Sequence, residues 1–388
     1  MSVEIRIERI KPRWHRLFSL RYDLKRGKSM SLRIGIAGLR RGRSFVNVFN
    51  SRKDSRIVAV CDLHAGRAEA LGKELNAIAF SDFDAFCDYD LDAIVVATPL
   101  PAHAECSIKA MEAGKHVLCE VPAVRTLQEA EQLAQAVERS GKKYMFAENV
   151  NYSPVVRMMD EFVKEGKLGK LIYAEGEYIH DCRSIMADRD DGLGGGVNGK
   201  PNWRAALPPI LYCTHDLGPI LMIMEDRVVS ASGRSTGCNV APELGAIDME
   251  VGIFHTAKGA VVKILCGFSI ERHPAFHFIS LYGTSGSIET DRYNGANNMK
   301  AYFKDEQKSL TDIPVDFDRY KLPSGAQSGG HGVSEYYMVD DFVRCILEDT
   351  RPAIDVYEGL DYTAPGICAN LSAQRGGELV EVPDFRPK

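Results

Sequence analysis

The stretch Leu32-Arg33-Ile34-Gly35-Ile36-Ala37-Gly38-Leu39-Arg40-Arg41-Gly42 decides the fold. A short aliphatic run meets a glycine and gives way at once to a helical pattern. A strand over 33–37 that turns tightly into a helix is how a dinucleotide fold presents backbone N–H groups to a pyrophosphate. With Gly38 as the first glycine of G-x-G-x-x-G, the second position is Arg40 and the third Arg43, so the fingerprint is partial. Arg40 must then lie aside or serve as a phosphate donor. Asp62 ends the next strand, 24 residues beyond Gly38. An acid there accepts hydrogen bonds from the adenosine ribose and repels a 2′-phosphate, which selects NAD over NADP.

Outward from this turn, strand patterns at Arg33–Ala37, Arg56–Cys61, Ala93–Ala97, His116–Cys119 and Lys143–Ala147 alternate with helical patterns at Ala65–Leu75, Ala102–Ala113 and Thr126–Ser140. That alternation predicts βαβ units and a doubly wound parallel sheet over residues 30–150. Thr126 with Glu129 reads as a capping box. After a helix at Pro154–Lys164 the pattern changes to successive strands: Lys170–His180, Arg227–Thr236, Ile247–His255, Ala260–Phe268, Phe276–Tyr282 and Ser287–Thr290. Turn residues at 256–259 and 283–286 predict hairpins. The expectation is an α/β chain whose residues 151–388 form an α+β substrate-binding and oligomerisation domain with a mostly antiparallel sheet. Helices at Ser334–Glu348 and Val356–Ala373 close it. Long polar stretches at Asp188–Asn202 and Leu322–Gly332 are expected to be functional loops, the second carrying His331.

The 388 residues suit two domains. Net charge is −5, but the first 30 residues carry +6, leaving −11 on the rest. An acidic body argues against a nucleic-acid partner. Residues 1–29 are expected to be a basic extension rather than a secretory signal, since they lack a continuous apolar stretch. No apolar run approaches membrane-spanning length. Ten scattered cysteines with no C-x-x-C pair predict reduced thiols in a cytoplasmic protein and no metal site.

Two further segments sit at carboxyl ends of parallel strands, where such sheets bind ligands: Thr98-Pro99-Leu100-Pro101-Ala102-His103 and Cys119-Glu120-Val121-Pro122. The pattern strand-A-T-P-x-x-x-H, the run Gly114–Glu120 and the second sheet resemble the glucose-fructose oxidoreductase/inositol dehydrogenase/MocA superfamily. That resemblance implies an NAD-dependent oxidoreductase acting on a sugar, polyol or glycoside by hydride transfer at a ring hydroxyl carbon, in a dimer or tetramer. It adds Thr98, Pro99, His103 and Glu120 to the expected NAD contacts. The usual Glu-Lys-Pro reads Glu120-Val121-Pro122 here, so the lysine that meets the reacting hydroxyl is missing. A narrower set of motifs collects this departure: Glu120–Ala123, Glu148–Tyr152, Tyr178–Arg183, Trp203-Arg204 and Tyr212-xx-His215-xx-Gly218-Pro219. These are similar to the NAD-dependent glycosidases of the α-N-acetylgalactosaminidase type.

This second resemblance implies Tyr178 as base, with Tyr212 and His215 facing one substrate and His215 as acid/base for the oxidised hydroxyl. His180 and Arg204 join the catalytic set, and Asn149 and Trp203 the cofactor contacts. A phenol needs a nearby cation to work near neutrality, and Arg204, Arg183 or His180 is expected to supply it. The alternatives are net oxidation, a glycosidase that oxidises C3, eliminates, adds water and re-reduces with recycled NAD, and a non-catalytic nucleotide-binding protein.

Overall fold

The computed structural model describes residues 31–188, 199–295 and 298–387. The expected N-terminal extension and most of the Asp188–Asn202 loop lie outside the described residues.

The first sheet has six strands: β1 (Leu32–Ala37), β2 (Ser55–Cys61), β3 (Ile78–Phe80), β4 (Ala93–Val96), β5 (His116–Cys119) and β6 (Tyr144–Phe146). They pair in parallel in the order β3-β2-β1-β4-β5-β6. The direction of winding reverses between β1 and β4, so a crevice opens at their carboxyl ends. Every residue of β4 is buried, as expected of a strand covered on both faces. The helices are α1 (Leu39–Gly42), α2 (Val46–Asn50), α3 (Ala65–Leu75), α4 (Phe83–Asp88), α5 (His103–Glu112) and α6 (Leu127–Ser140). The capping box of α6 is present: Glu129 N–H donates to Thr126 Oγ1 at 3.1 Å, and the Glu129 carboxylate accepts from Thr126 N–H at 3.2 Å. β3 and α4 escaped the reading because a three-residue, half-exposed strand carries no period.

Beyond α7 (Pro154–Lys164) the chain forms β7 (Leu171–Ile179) and a small ribbon of β8 (Ala187–Asp188) and β9 (Lys200–Pro201). After α8 (Thr214–Met224) come β10 (Val228–Ser235), β11 (Met249–Thr256), β12 (Val261–Gly267), β13 (His277–Gly283), β14 (Gly286–Thr290), β15 (Met299–Phe303) and β16 (Thr311–Ile313). Helices α9 (Val333–Leu347) and α10 (Val356–Gln374) and the edge strand β17 (Val380–Glu381) complete it. The nine-stranded sheet runs β16-β15-β14-β13-β7-β12-β11-β10-β17. Only β7 with β12 is a parallel pair, so the sheet is mostly antiparallel, as expected. Helix α8 is buried at all positions but Met222. It packs on β7 on one side and on the Asn149–Tyr152 turn on the other, and so carries residues into the space between the two sheets.

Candidate active site

At the cofactor edge, Gly38 has φ +83°, and a Cβ there would lie 2.3 Å from the Ala97 carbonyl oxygen, so only glycine closes the turn. Close helix–strand packing falls on Gly42, where a Cβ would meet Ile36 at 2.5 Å. The third glycine role therefore sits one residue before Arg43, which is exposed and paired with Glu74 at 2.9 Å. Arg40 lies aside, exposed, while Arg41 turns inward. Asp62 is buried; its carboxylate accepts from Leu39 N–H at 2.9 Å, His64 N–H at 2.9 Å and the Arg67 guanidinium at 2.8 Å. Leu39, expected with Gly38 and Arg40 among the cofactor contacts, donates its N–H to Asp62 and so braces the turn.

One correction concerns His103. Its ring nitrogens lie 2.8 Å from the Pro122 carbonyl and 2.7 Å from the Thr98 carbonyl, so the ring ties the exits of β4 and β5 together instead of offering a nitrogen to a ligand. Two carbonyl acceptors require two N–H donors. Burial pulls the imidazolium down, but Cys119 and the two carbonyls outweigh it and hold the pKa up to about 9. Glu120 meets Arg41 at 2.7 Å, and Arg41 reaches on to Glu335 of α9 at 3.0 Å and His331 Nδ1 at 2.9 Å. The stretch holding His331 thus lies across the glycine turn. Arg41 and Glu335 were not singled out from sequence, because their pairing joins residues almost three hundred positions apart.

NAD fits this edge: the turn admits no Cβ at Gly38, and a buried carboxylate stands at the end of β2 beside Thr98, Pro99 and Glu120 at neighbouring strand ends. Replacing Asp62 with alanine is expected to weaken NAD binding roughly tenfold or more and to narrow its margin over NADP, since a charged hydrogen bond contributes about 1.5–3 kcal/mol. Titration of both dinucleotides by calorimetry checks it.

The other half of the site lines a cavity of about 40 Å³ walled by Tyr178, Cys182, Met186, Arg204, Leu207, Tyr212 and Phe268. It has room for a few waters, so a sugar ring would sit at its mouth. Tyr178 comes from the end of β7, and His215 from the first turn of α8. Their rings meet edge to face at 5.3 Å, with Phe268 5.1 Å from Tyr178 and Tyr212 6.2 Å from His215. The Tyr178 hydroxyl lies 3.4 Å from His180 Nδ1. The Arg204 guanidinium covers the Trp203 ring at 4.4 Å. Asn149 is buried beside Glu148 in the turn that α8 packs against.

The expected activation of Tyr178 is corrected. Burial, reinforced by Cys182, Tyr212, Asp216 and Cys266, pushes its phenol well above the usual range. Arg183 is engaged by Asp181 at 2.7 and 2.9 Å. Burial pushes His180 down, so it is a neutral acceptor. The pull of Arg204 falls on Tyr212, whose phenol burial nonetheless raises. His215 behaves oppositely: burial pulls it down, but Glu148, with Asp216 and Glu120, raises it above its ordinary value. Glu148 is fully buried, with Oε1 2.8 Å from His215 Nδ1. Glu148 stood in a quoted motif without a role, and His277, whose ring stacks on Tyr178 at 4.3 Å, left no local signal at all.

Two residues before Tyr212, Ile210 donates its N–H to the buried Glu250 at 3.1 Å, and burial pushes the Glu250 pKa up to about 7. A raised carboxyl costs stability progressively as pH climbs from its unfolded value through the folded one. Glu250→Gln is therefore expected to raise the unfolding midpoint clearly at about pH 8 and little at about pH 5, by thermal melts at both.

Residues 32–148 match the oxidoreductase family with an NAD-binding Rossmann fold, and residues 245–387 match the C-terminal domain of glycosyl hydrolase 109. A glycosyl hydrolase family 109 protein of Streptomyces filamentosus is 30% identical over 92% of this chain and 77% of its own. An α-N-acetylgalactosaminidase of Shewanella oneidensis is 26% identical over 91% and 85%. A levoglucosan dehydrogenase solved with NADH and levoglucosan superposes with a TM-score of 0.78 at 19% identity, covering 92% of this chain and all of that one, which shows a shared fold. The Rossmann turn, the mixed second sheet and a 30% identical relative spanned over most of its length agree: the chain belongs to glycosyl hydrolase family 109, built on the NAD-binding oxidoreductase fold.

Proposed function

We propose that this protein cleaves glycosides by oxidation, elimination, water addition and re-reduction, with no net redox change. The observation that carries the reading is the presence of two separate proton-handling groups: Tyr178, which lines the cavity, and His215, whose ring meets it edge to face with centroids 5.3 Å apart. A dehydrogenase needs one base, for the hydroxyl it oxidises. An elimination needs a second, for the carbon acid beside the new ketone.

Gly38, Asp62, Thr98, Pro99, Glu120 and Asn149 would hold NAD, which would supply the acceptor for the C3 hydride and later its donor. His215, oriented through Nδ1 by Glu148, takes the proton of the C3 hydroxyl. This places on His215 the role left open by Val121. Tyr178 takes the C2 proton after passing its own to His180 Nδ1. The C2–H pair enters the enolate of the C3 ketone and then forms the C1–C2 double bond as the C1–O bond breaks and the aglycone leaves. Arg204 and Tyr212 orient the sugar at the cavity mouth. The Shewanella oneidensis relative makes an α-N-acetylgalactosaminide the first substrate to try.

In heavy water, aryl glycosides are expected to release aglycone without accumulating NADH and to give a sugar carrying deuterium at C2. Stoichiometric NADH with the glycoside intact would overturn the reading in favour of net oxidation. The proposal extends to residues 30–150 as the cofactor domain and 151–388 as the substrate domain of a cytoplasmic homo-oligomer, supported by ten free cysteines and a broad second sheet. Light scattering reads the oligomer directly.

A further inference from the structure

His277 lies opposite Tyr178 in the β13–β7 register, and its ring lies nearly flat on the phenol, with centroids 4.3 Å apart and planes 19° from parallel. The same ring meets His215 edge to face at 5.6 Å. Its Nδ1 donates to Asp216 Oδ1 at 3.2 Å. Asp216 is fully buried on α8, immediately after His215. A buried carboxylate is costly unless hydrogen-bonded, and this one finds its partner in the ring that covers Tyr178. A phenylalanine at 277 would stack without requiring an acid behind it. The acid adds a fixed seat: Nδ1 is held from the helix that also carries His215.

We infer that His277, seated on Asp216, is a positioning residue for Tyr178, one that holds the phenol plane so that its hydroxyl stays at His180 Nδ1 and at the cavity. The inference rests on the proposed elimination for its catalytic consequence, and on geometry alone for its structural one. The step affected is removal of the C2 proton: the C2–H bond breaks, the proton passes to the Tyr178 oxygen, and the electron pair enters the enolate of the C3 ketone. The hydride half of the cycle does not use the Tyr178 oxygen.

Three variants, His277→Ala, His277→Phe and Asp216→Asn, test this against the unmodified protein. In His277→Ala, kcat for aglycone release is expected to fall roughly tenfold to hundredfold with KM little changed, as for a reacting group displaced by about an ångström. Single-turnover reduction of bound NAD should keep its rate, and the isotope effect from C2-deuterated substrate should rise. His277→Phe restores a flat ring and is expected to recover most of kcat, while Asp216→Asn falls between. A His277→Ala enzyme that slows both half-reactions equally, or neither, overturns the inference, as does a His277→Phe enzyme no better than alanine. Ring-labelled tyrosine NMR provides a readout without turnover. The Tyr178 resonance, assigned by its loss in Tyr178→Phe, should move in His277→Ala and return towards its place in His277→Phe; a resonance unmoved by alanine overturns the placement. If the unmodified protein shows no C2 exchange, the elimination reading falls, and the NMR comparison still decides the role of His277.

Discussion

Replacing Tyr178 with phenylalanine is expected to lower aglycone release by roughly a thousandfold while leaving the reduction of bound NAD by the same glycoside within a few-fold of the unmodified rate. The ring packing is kept, because Phe268, His215 and His277 all contact the ring. What goes is the oxygen that meets His180 Nδ1. The variant should therefore stall with the sugar oxidised, and a burst of nicotinamide absorbance without aglycone is the result to look for. The phenol is held well above its usual pKa by burial, so the base is scarce at rest. Among the described residues its proton finds an acceptor in the neutral His180, and the hydroxyl is useful only where that contact is made. Equal loss of both half-reactions would mean that Tyr178 serves binding or packing instead.

The second large effect is expected at Glu148. His215 sits above its ordinary pKa because the attraction of Glu148, helped by Asp216 and Glu120, exceeds the cost of burial. A base works in its neutral form, so the acid limb of the kcat/KM profile should lie above about pH 6.5 in the unmodified enzyme. Glu148→Gln removes the anion and keeps a hydrogen-bond acceptor for Nδ1. The acid limb is expected to move to lower pH. The rate at its optimum should fall roughly tenfold or more, because the imidazolium formed in the reaction loses its partner. The pH dependence of stability has the same sign as at Glu250, because both folded pKa values are raised. A histidine whose folded pKa is raised contributes stability below its unfolded value and loses it as pH rises through the folded one. The unmodified protein should therefore exceed Glu148→Gln in stability by more at about pH 6 than at about pH 9, read by urea unfolding at the two values. An unmoved acid limb would remove His215 from the role of base.

Much of this could be read from the chain alone. The aliphatic run into Gly38, the acid at 62 and the alternation of strand and helix patterns to residue 150 depend on local rules: period, caps and turn chemistry. The hairpins at 256–259 and 283–286 are equally local, since a short glycine-containing turn between two strand patterns leaves few alternatives. Local rules also account for what went unread. β3, β16 and β17 are edge strands two or three residues long, stabilised by their neighbours rather than by their own composition, and β15 follows a turn without a strong signal. The motifs around Tyr178, Trp203-Arg204 and Tyr212 to His215 carried the site's membership, because each is a short contiguous run.

What the tertiary structure decided was partnership. Arg41 rather than Arg40 faces Glu120, Gly42 takes the packing role displaced from position 43, and His103 is occupied by two carbonyls. The expected cations around Tyr178 proved to be engaged elsewhere, Arg183 on Asp181 and Arg204 on Trp203. In their place stands His277, ninety-nine residues away in sequence and directly opposite in the sheet. Residue type and local spacing determine which elements form and which chemistry is available. A side chain's pKa and partners depend on burial and on charges a few ångströms away, and those neighbours are set by strand register and helix packing between segments that are remote along the chain.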